Sequence, residues 1–136
     1  MSLGADIETL ARTIWGEARG ELHAGMIAVG WVVRNRASDE LERWPKTIEA
    51  VCRQKSQFSC WNSNDPNSVK LRTVDVSNPA FRQCLRAAVE VICGSLDPTK
   101  GANHYLTIAL AESKPPKWYD PDKVRIDIGH HRFLRL

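Results

Sequence analysis

Trp15-Gly16-Glu17-Ala18-Arg19-Gly20-Glu21 decides how this chain is read, because it runs the apolar stripe of a helix into a carboxylate. In a helix taken from Ala5 and advancing about 100° per residue, Ile7, Leu10, Ala11, Ile14 and Ala18 share one arc. Glu17 lies at the edge of that arc, where a core residue is expected, while Glu8, Arg12 and Arg19 project on the opposite side. A carboxyl held against apolar groups loses solvation of its anion, so its pKa rises and it stays protonated closer to neutral pH. That is the condition a general acid must meet. Spacing alone leaves a second reading open, a helix-end glutamate that reaches past the stripe into water.

The bulk properties narrow the setting. A chain of 136 residues suits a single domain spanning residues 1–136 with one sizeable core. Apolar and charged fractions of 43% and 26% are those of an ordinary globular protein. No apolar run approaches the ~20 residues of a membrane span, so stable membrane insertion is not expected. Met1-Ser2-Leu3-Gly4 has neither the charged start nor the hydrophobic region of a secretory signal. A net charge of +3 favours a polyanionic partner only weakly. No basic run is interleaved with aromatic residues, so a nucleic-acid partner is not expected. Cys52, Cys60, Cys84 and Cys93 match no C-x-x-C pattern. On one helix, Cys84 and Cys93 would face opposite ways and could not pair with each other. Four cysteines in so short a chain favour at least one disulfide, involving Cys52 or Cys60.

Taken in order, the first helix is expected to end at Gly20, which would turn Glu21 away from the face that carries Glu17. A buried central helix follows, from about Ala24 to Arg36, apolar on most sides and interrupted by Gly25 and Gly30. Asn35 either braces a neighbouring segment or is an ordinary helix-end polar residue. A short helix is expected over Thr47–Cys52. Residues 54–78 then read as a long ordered loop without helical period, carrying Phe58 and Trp61 among amides. Such rings either stack on sugar faces or staple the loop to the core. Asn78-Pro79 has the form of an N-cap followed by a first-turn proline, opening a helix to about Cys93. Its inner stripe reads Phe81, Leu85, Ala88, Val89 and Ile92. Two β-prone segments, His104–Ile108 and Val124–Ile128, are expected to pair as a small antiparallel sheet over the helices, with His130–Phe133 beyond Gly129.

Several segments together carry a family resemblance. The run Leu10 to Glu21 precedes a glycine-containing apolar helix ending Val33-Arg34-Asn35-Arg36. Gln57-Phe58-Ser59-Cys60-Trp61, then Gly101-Ala102-Asn103-His104-Tyr105, then Trp118 and Ile128-Gly129-His130-His131-Arg132-Phe133 follow in that order. The pattern, from about residue 5 to 134, resembles the SleB/CwlJ-type cell wall hydrolases, whose first-described members degrade spore cortex peptidoglycan. A bare domain of this kind is similar to the endolysin-like members found in phages and phage-derived gene clusters. The resemblance implies an α+β fold, a mainly helical lysozyme-like domain with a small antiparallel sheet. It also implies a monomer that acts on peptidoglycan glycan strands without metal or cofactor, reaching the wall by release or by another export route.

The family's acid, the first glutamate of the Glu-Ala-Arg-Gly-Glu run, maps onto Glu17. Ser59, Phe58, Trp61, Asn103, His104 and Tyr105 are the candidate substrate-binding residues. Two positions depart from the family: Asn103 stands where threonine is common, and His130 where an acidic or amide residue is usual. The implied reaction is cleavage of the β-1,4 bond between N-acetylmuramic acid and N-acetylglucosamine, by hydrolysis or by lytic transglycosylation. Transglycosylation needs one carboxyl, whereas ordinary glycosidases pair two; Asp65, Asp75 and Asp127 are the candidates for a second. Two alternatives remain from other classes. One is a zinc-dependent amidase or peptidase built on His104, His130 and His131, although adjacent strand residues point to opposite sides. The other is a non-catalytic wall-binding module.

Overall fold

The computed structural model describes residues 2–54, 57–94 and 96–136. Helix α1 (Leu3–Ala18) begins where Ser2 accepts a hydrogen bond from the Ala5 amide at 3.2 Å. Leu10, Ala11, Ile14 and Ala18 of the expected arc are buried and Ile7 is half-buried, while Trp15, outside that arc, is buried as well. Helix α2 (His23–Ala37) is buried almost all round from Gly25 to Val33 and forms the centre of the molecule. Helix α3 (Ile48–Arg53) is capped by Thr47, whose hydroxyl accepts from the Ala50 amide. A 3₁₀ turn (Ser59–Trp61) and helix α4 (Ser68–Thr73) follow.

These last two elements correct the reading of residues 54–78 as loop alone. Helix α4 is six residues long, too short for an apolar period to register, and Leu71 is its one large side chain in the core. Lys55 and Ser56, within the same stretch, lie outside the described residues.

Helix α5 (Pro79–Ile92) starts as expected, with Asn78 Oδ1 accepting from the Phe81 amide at 3.1 Å. Its buried stripe is Phe81, Cys84, Ala87, Ala88 and Val91, while Val89 is 42% exposed. The expected face is thus rotated toward small residues, because α5 must lie close against both α1 and α2. The closeness is visible at Gly30 of α2, where a Cβ would stand 2.8 Å from Val91 Cγ2.

Strands β1 (His104–Thr107), β2 (Val124–Ile128) and β3 (His131–Leu134) form one antiparallel sheet in the order β1-β3-β2. Helix α6 (Ile108–Ser113) intervenes between β1 and β2. Contrary to the expectation from sequence, the two β-prone segments do not pair with each other; β3 lies between them. The two-residue connection Gly129-His130 forces β2 and β3 to be neighbours, leaving β1 the other edge of β3. Tyr105 sits opposite Phe133 and His104 opposite Leu134. Tyr105, Phe133, Ile126 and Ile128 join the helical core, whereas Leu106 and Leu134 form a second small cluster with Ala111. The expected class, mainly helical α+β with a small antiparallel sheet, is the one observed.

All four cysteines are free thiols, which overturns the expected disulfide. Cys52, Cys60 and Cys84 are packed in the core as small apolar groups, and Cys93 is exposed beyond the end of α5. Cys60 fixes the distance between α1 and the 3₁₀ turn. A Cβ on Gly16 would stand 2.6 Å from Cys60 Cβ and 2.8 Å from its Sγ. Replacing Gly16 by alanine is therefore expected to destabilise the fold by about 1–3 kcal/mol. Urea denaturation checks this, and an unchanged midpoint would show that the turn shifts freely.

Candidate active site

Glu17 occupies the last turn of α1, and its half-buried carboxyl opens into a pocket of about 430 Å³. Arg36, Gln57, Phe58, His104, Tyr105 and Trp118 complete the lining. Burial lifts the Glu17 pKa above the ordinary carboxylate value, and the charge of Asp65 adds to the rise. Hydrogen bonds from Tyr105 and Cys60, and the charge of His131, oppose it without reversing it. The Tyr105 hydroxyl donates to Oε1 at 3.1 Å. Both partners stay protonated: burial and the neighbouring carboxylate push the Tyr105 phenol and the Cys60 thiol upward. Water is the partner assumed by the alternative reading of Glu17, and the surrounding side chains limit it.

The strand that covers Glu17 is held by the end of α2. Asn35 is a brace, donating to Asp97 Oδ2 and to the Ala102 carbonyl, each at 2.9 Å. Asp97 also gathers the amides of Thr99 and Gly101, which shapes the turn before β1. Arg36, 7% exposed, donates through Nε to the Asn103 carbonyl at 2.8 Å. Its guanidinium lies 5.2 Å from the Trp44 ring centroid and 5.5 Å from that of Phe58. The end of α2 thus fixes where His104 and Tyr105 enter the pocket and brings a cation to its wall.

His104 stands between two aromatic rings, with centroids 5.8 Å from Trp44 and 5.1 Å from Trp118. Burial, aided by the charges of Arg36 and Arg43, lowers its pKa to about 4. The imidazole is therefore neutral at pH 7.

Behind Tyr105, Glu21 and two histidines form a second polar cluster. The Glu21 side chain, 7% exposed, accepts from the His130 amide at 3.0 Å, from His130 Nδ1 at 2.7 Å and from His131 Nδ1 at 2.9 Å. These bonds hold its pKa below the usual value, although burial pushes the other way. Gly129, with φ of 59°, makes room: a Cβ there would approach Glu21 Oε1 to 3.0 Å. Glu21 therefore does not turn away from the site. It ties the end of α1 to the β2–β3 turn, and His131 meets the Tyr105 ring edge-on at 5.2 Å. The His130 side chain adds one of the bonds.

The structure brings Glu17, Phe58, His104 and Tyr105 together and sends the other candidates elsewhere. Ser59 is exposed and does not line the pocket. Trp61 lies across the 3₁₀ turn in a separate cavity with Arg53, Asn62, Asn64 and Arg72. Its indole donates to Thr13 Oγ1 at 2.8 Å, which fixes that direction. Asn103, 3% exposed, is tied through its amide to the main chain of Leu136. Sequence reasoning passed over Arg36, Gln57, Cys60 and the tie through Glu21. Trp118 was available in the family pattern but was given no role.

Among the described residues, no second carboxylate lines the pocket. Asp75 is occupied with the amide and hydroxyl of Ser77, and Asp127 is paired with Arg132. Asp65 is near enough for its charge to be felt at Glu17, but it caps the Asn67 amide. No group of three or more His, Cys, Asp and Glu side chains among the described residues is arranged to hold a metal ion. His130 and His131 do not point apart, because His130 belongs to the turn and both rings converge on Glu21. His104 lies in the pocket, away from them.

Comparison with known proteins places the chain among relatives of known kind. The chain is 28% identical over 131 residues to the spore cortex-lytic enzyme of Bacillus subtilis, a match over 94% of this chain. It spans 37% of the length of that relative. The catalytic domain of the germination-specific lytic transglycosylase SleB from Bacillus anthracis superposes with a TM-score of 0.73 at 26% identity, covering 99% of this chain and 97% of that one. The SleB catalytic domain of Bacillus cereus shares the fold, with a TM-score of 0.70 at 24% identity over 99% and 93% of the two chains. The Cell Wall Hydrolase family model matches residues 20–134, beginning just after Glu17. By that match over most of its length, the chain belongs to the cell wall hydrolase family.

Proposed function

We propose that this chain cleaves the glycan backbone of peptidoglycan between N-acetylmuramic acid and N-acetylglucosamine, as a lytic transglycosylase in which Glu17 is first acid and then base. The observation that carries the proposal is a single carboxyl of raised pKa, with no second carboxylate lining its pocket among the described residues. The similarity to the SleB catalytic domain, named for lytic transglycosylation, supports the same reading.

In this mechanism the Glu17 carboxyl proton passes to the glycosidic oxygen as its bond to C1 of the muramic residue breaks. The Glu17 anion then takes the proton of that sugar's C6 hydroxyl, whose oxygen attacks C1 and closes a 1,6-anhydro ring. No water enters, and Glu17 ends protonated. The anion exists only between the two proton transfers. Tyr105 and Cys60, both donors to the carboxylate, stabilise it there. Arg36 and the rings of Phe58 and Trp118 supply the cation and apolar faces that hold a sugar with its acetamido or lactyl carbonyl.

Digestion of purified peptidoglycan, with products resolved by mass spectrometry, tests the proposal. Wild type should release anhydromuramyl products, and Glu17→Gln should do so ~10²–10⁴-fold more slowly. Products heavier by one water would make the chain a hydrolase and bring Asp65 forward as the second carboxylate. Equal activity of the variant would remove Glu17 from the mechanism.

Two further outcomes follow from the pKa of Glu17. Tyr105→Phe removes a bond that favours the anion, so the Glu17 pKa should rise further. The alkaline limb of kcat/KM should then move to higher pH, with a rate loss of about tenfold. A limb that stays in place would mean that Tyr105 does not hold Glu17. A raised carboxyl pKa also means that the folded state resists ionisation. Stability is complete below the unfolded value near 4.5 and is lost as pH rises through the folded value. Glu17→Gln should therefore melt higher than wild type at pH 7 and equally at pH 4. Equal melting at both would show that the carboxyl is not desolvated.

A further inference from the structure

Asn103 sets the chemistry of the residue beside it. Leu136 donates its amide to Asn103 Oδ1 at 2.9 Å, and its main-chain oxygen accepts from Nδ2 at 3.1 Å. One backbone donor and one backbone acceptor together settle which end of the Asn103 amide is oxygen. That oxygen also lies 2.9 Å from His104 Nδ1. A hydrogen bond between them needs a proton on the nitrogen, since the amide oxygen has none to give. A neutral imidazole protonated at Nδ1 carries a bare lone pair at Nε2. Among the described residues nothing hydrogen-bonds to Nε2, and the ring lines the pocket that holds Glu17.

We propose that Asn103 locks His104 in the Nδ1–H tautomer, making Nε2 a dedicated hydrogen-bond acceptor for a hydroxyl or acetamido N–H of the bound glycan. Asn103 is a positioning residue, and His104 makes the contact. The role in glycan binding rests on the function proposed above; the tautomer does not. Of the other polar groups of the wall, the Arg36 guanidinium, the Trp118 indole and the protonated Glu17 are donors, and the Gln57 side-chain oxygen already accepts from Arg36 Nη1 at 3.4 Å. His104 supplies the complementary acceptor. Burial and the charges of Arg36 and Arg43 keep the ring neutral, and Trp44 and Trp118 fix its plane. A substrate group bearing only acceptors, such as an ester where the hydroxyl should be, faces a lone pair and is disfavoured.

The test begins with wild-type protein, so that no variant need fold. In protein labelled with nitrogen-15 at its four histidines, long-range proton–nitrogen spectra at pH 7 distinguish the two ring nitrogens. His104→Phe, which keeps an aromatic ring between the tryptophans, identifies the His104 signals. Nδ1 of His104 should be protonated and Nε2 bare; the opposite pattern, or an exchanging mixture, overturns the lock. Titration with the trimer of N-acetylglucosamine should then shift Nε2 more than Nδ1. His104→Phe should raise KM for soluble glycan fragments about tenfold, with kcat changed less. If wild type digests peptidoglycan but Nε2 is unmoved and KM unchanged, the contact is overturned while the proposed function stands. If wild type neither digests peptidoglycan nor binds the trimer, the contact falls with the function, and the tautomer is judged by the spectra alone.

Discussion

A carboxyl group at the end of a helix is shielded from water only if another part of the chain is laid over it. Strand β1 provides that cover for Glu17, and its placement depends on two side chains at the end of α2. Asn35 and Arg36 bind carbonyls of residues 102 and 103, just before the strand begins. β1 in turn pairs with β3 rather than β2. Desolvation of one acid thus draws on the central helix, the turn before β1 and the sheet together. The hydrogen bond from Tyr105 then moderates the shift that burial creates.

The parts legible in the sequence were those written in local periodicity. The apolar arc of α1 located both the helix and the unusual position of Glu17. Asn78 with Pro79 marked the start of α5 because capping is a matter of a few neighbouring atoms. The parts that were hidden depend on partners far along the chain. Glu21 looked like a residue turned aside by Gly20, and only the β2–β3 turn, more than a hundred residues later, gives its carboxylate a purpose. Trp61 looked like a companion of Phe58. The hydroxyl of Thr13 draws its indole to the other side of the 3₁₀ turn, a choice that no spacing rule encodes. The strand order was similarly out of reach of a period-two pattern, which gives faces but not neighbours.

Asn103 carries two duties through one side chain. A threonine there would offer one rotatable hydroxyl, able to donate or accept. The amide presents a fixed donor and a fixed acceptor, and the main chain of Leu136 engages both. The same residue therefore fastens the last strand to the first and orients the ring beside the acid. Its burial fits the structural duty, and its contact with His104 extends that duty to the pocket.

The free thiols bear on how the core is closed. Cys52 and Cys84 have their pKa values pushed up to about 12 by burial, and Cys60 is also held in its protonated form. Thiolates, not thiols, attack disulfides and oxidants, so these three are poor participants in exchange. No cross-link completes the core, and no oxidant is required to close it. Closure of the core rests on the packing of these side chains and not on a covalent link.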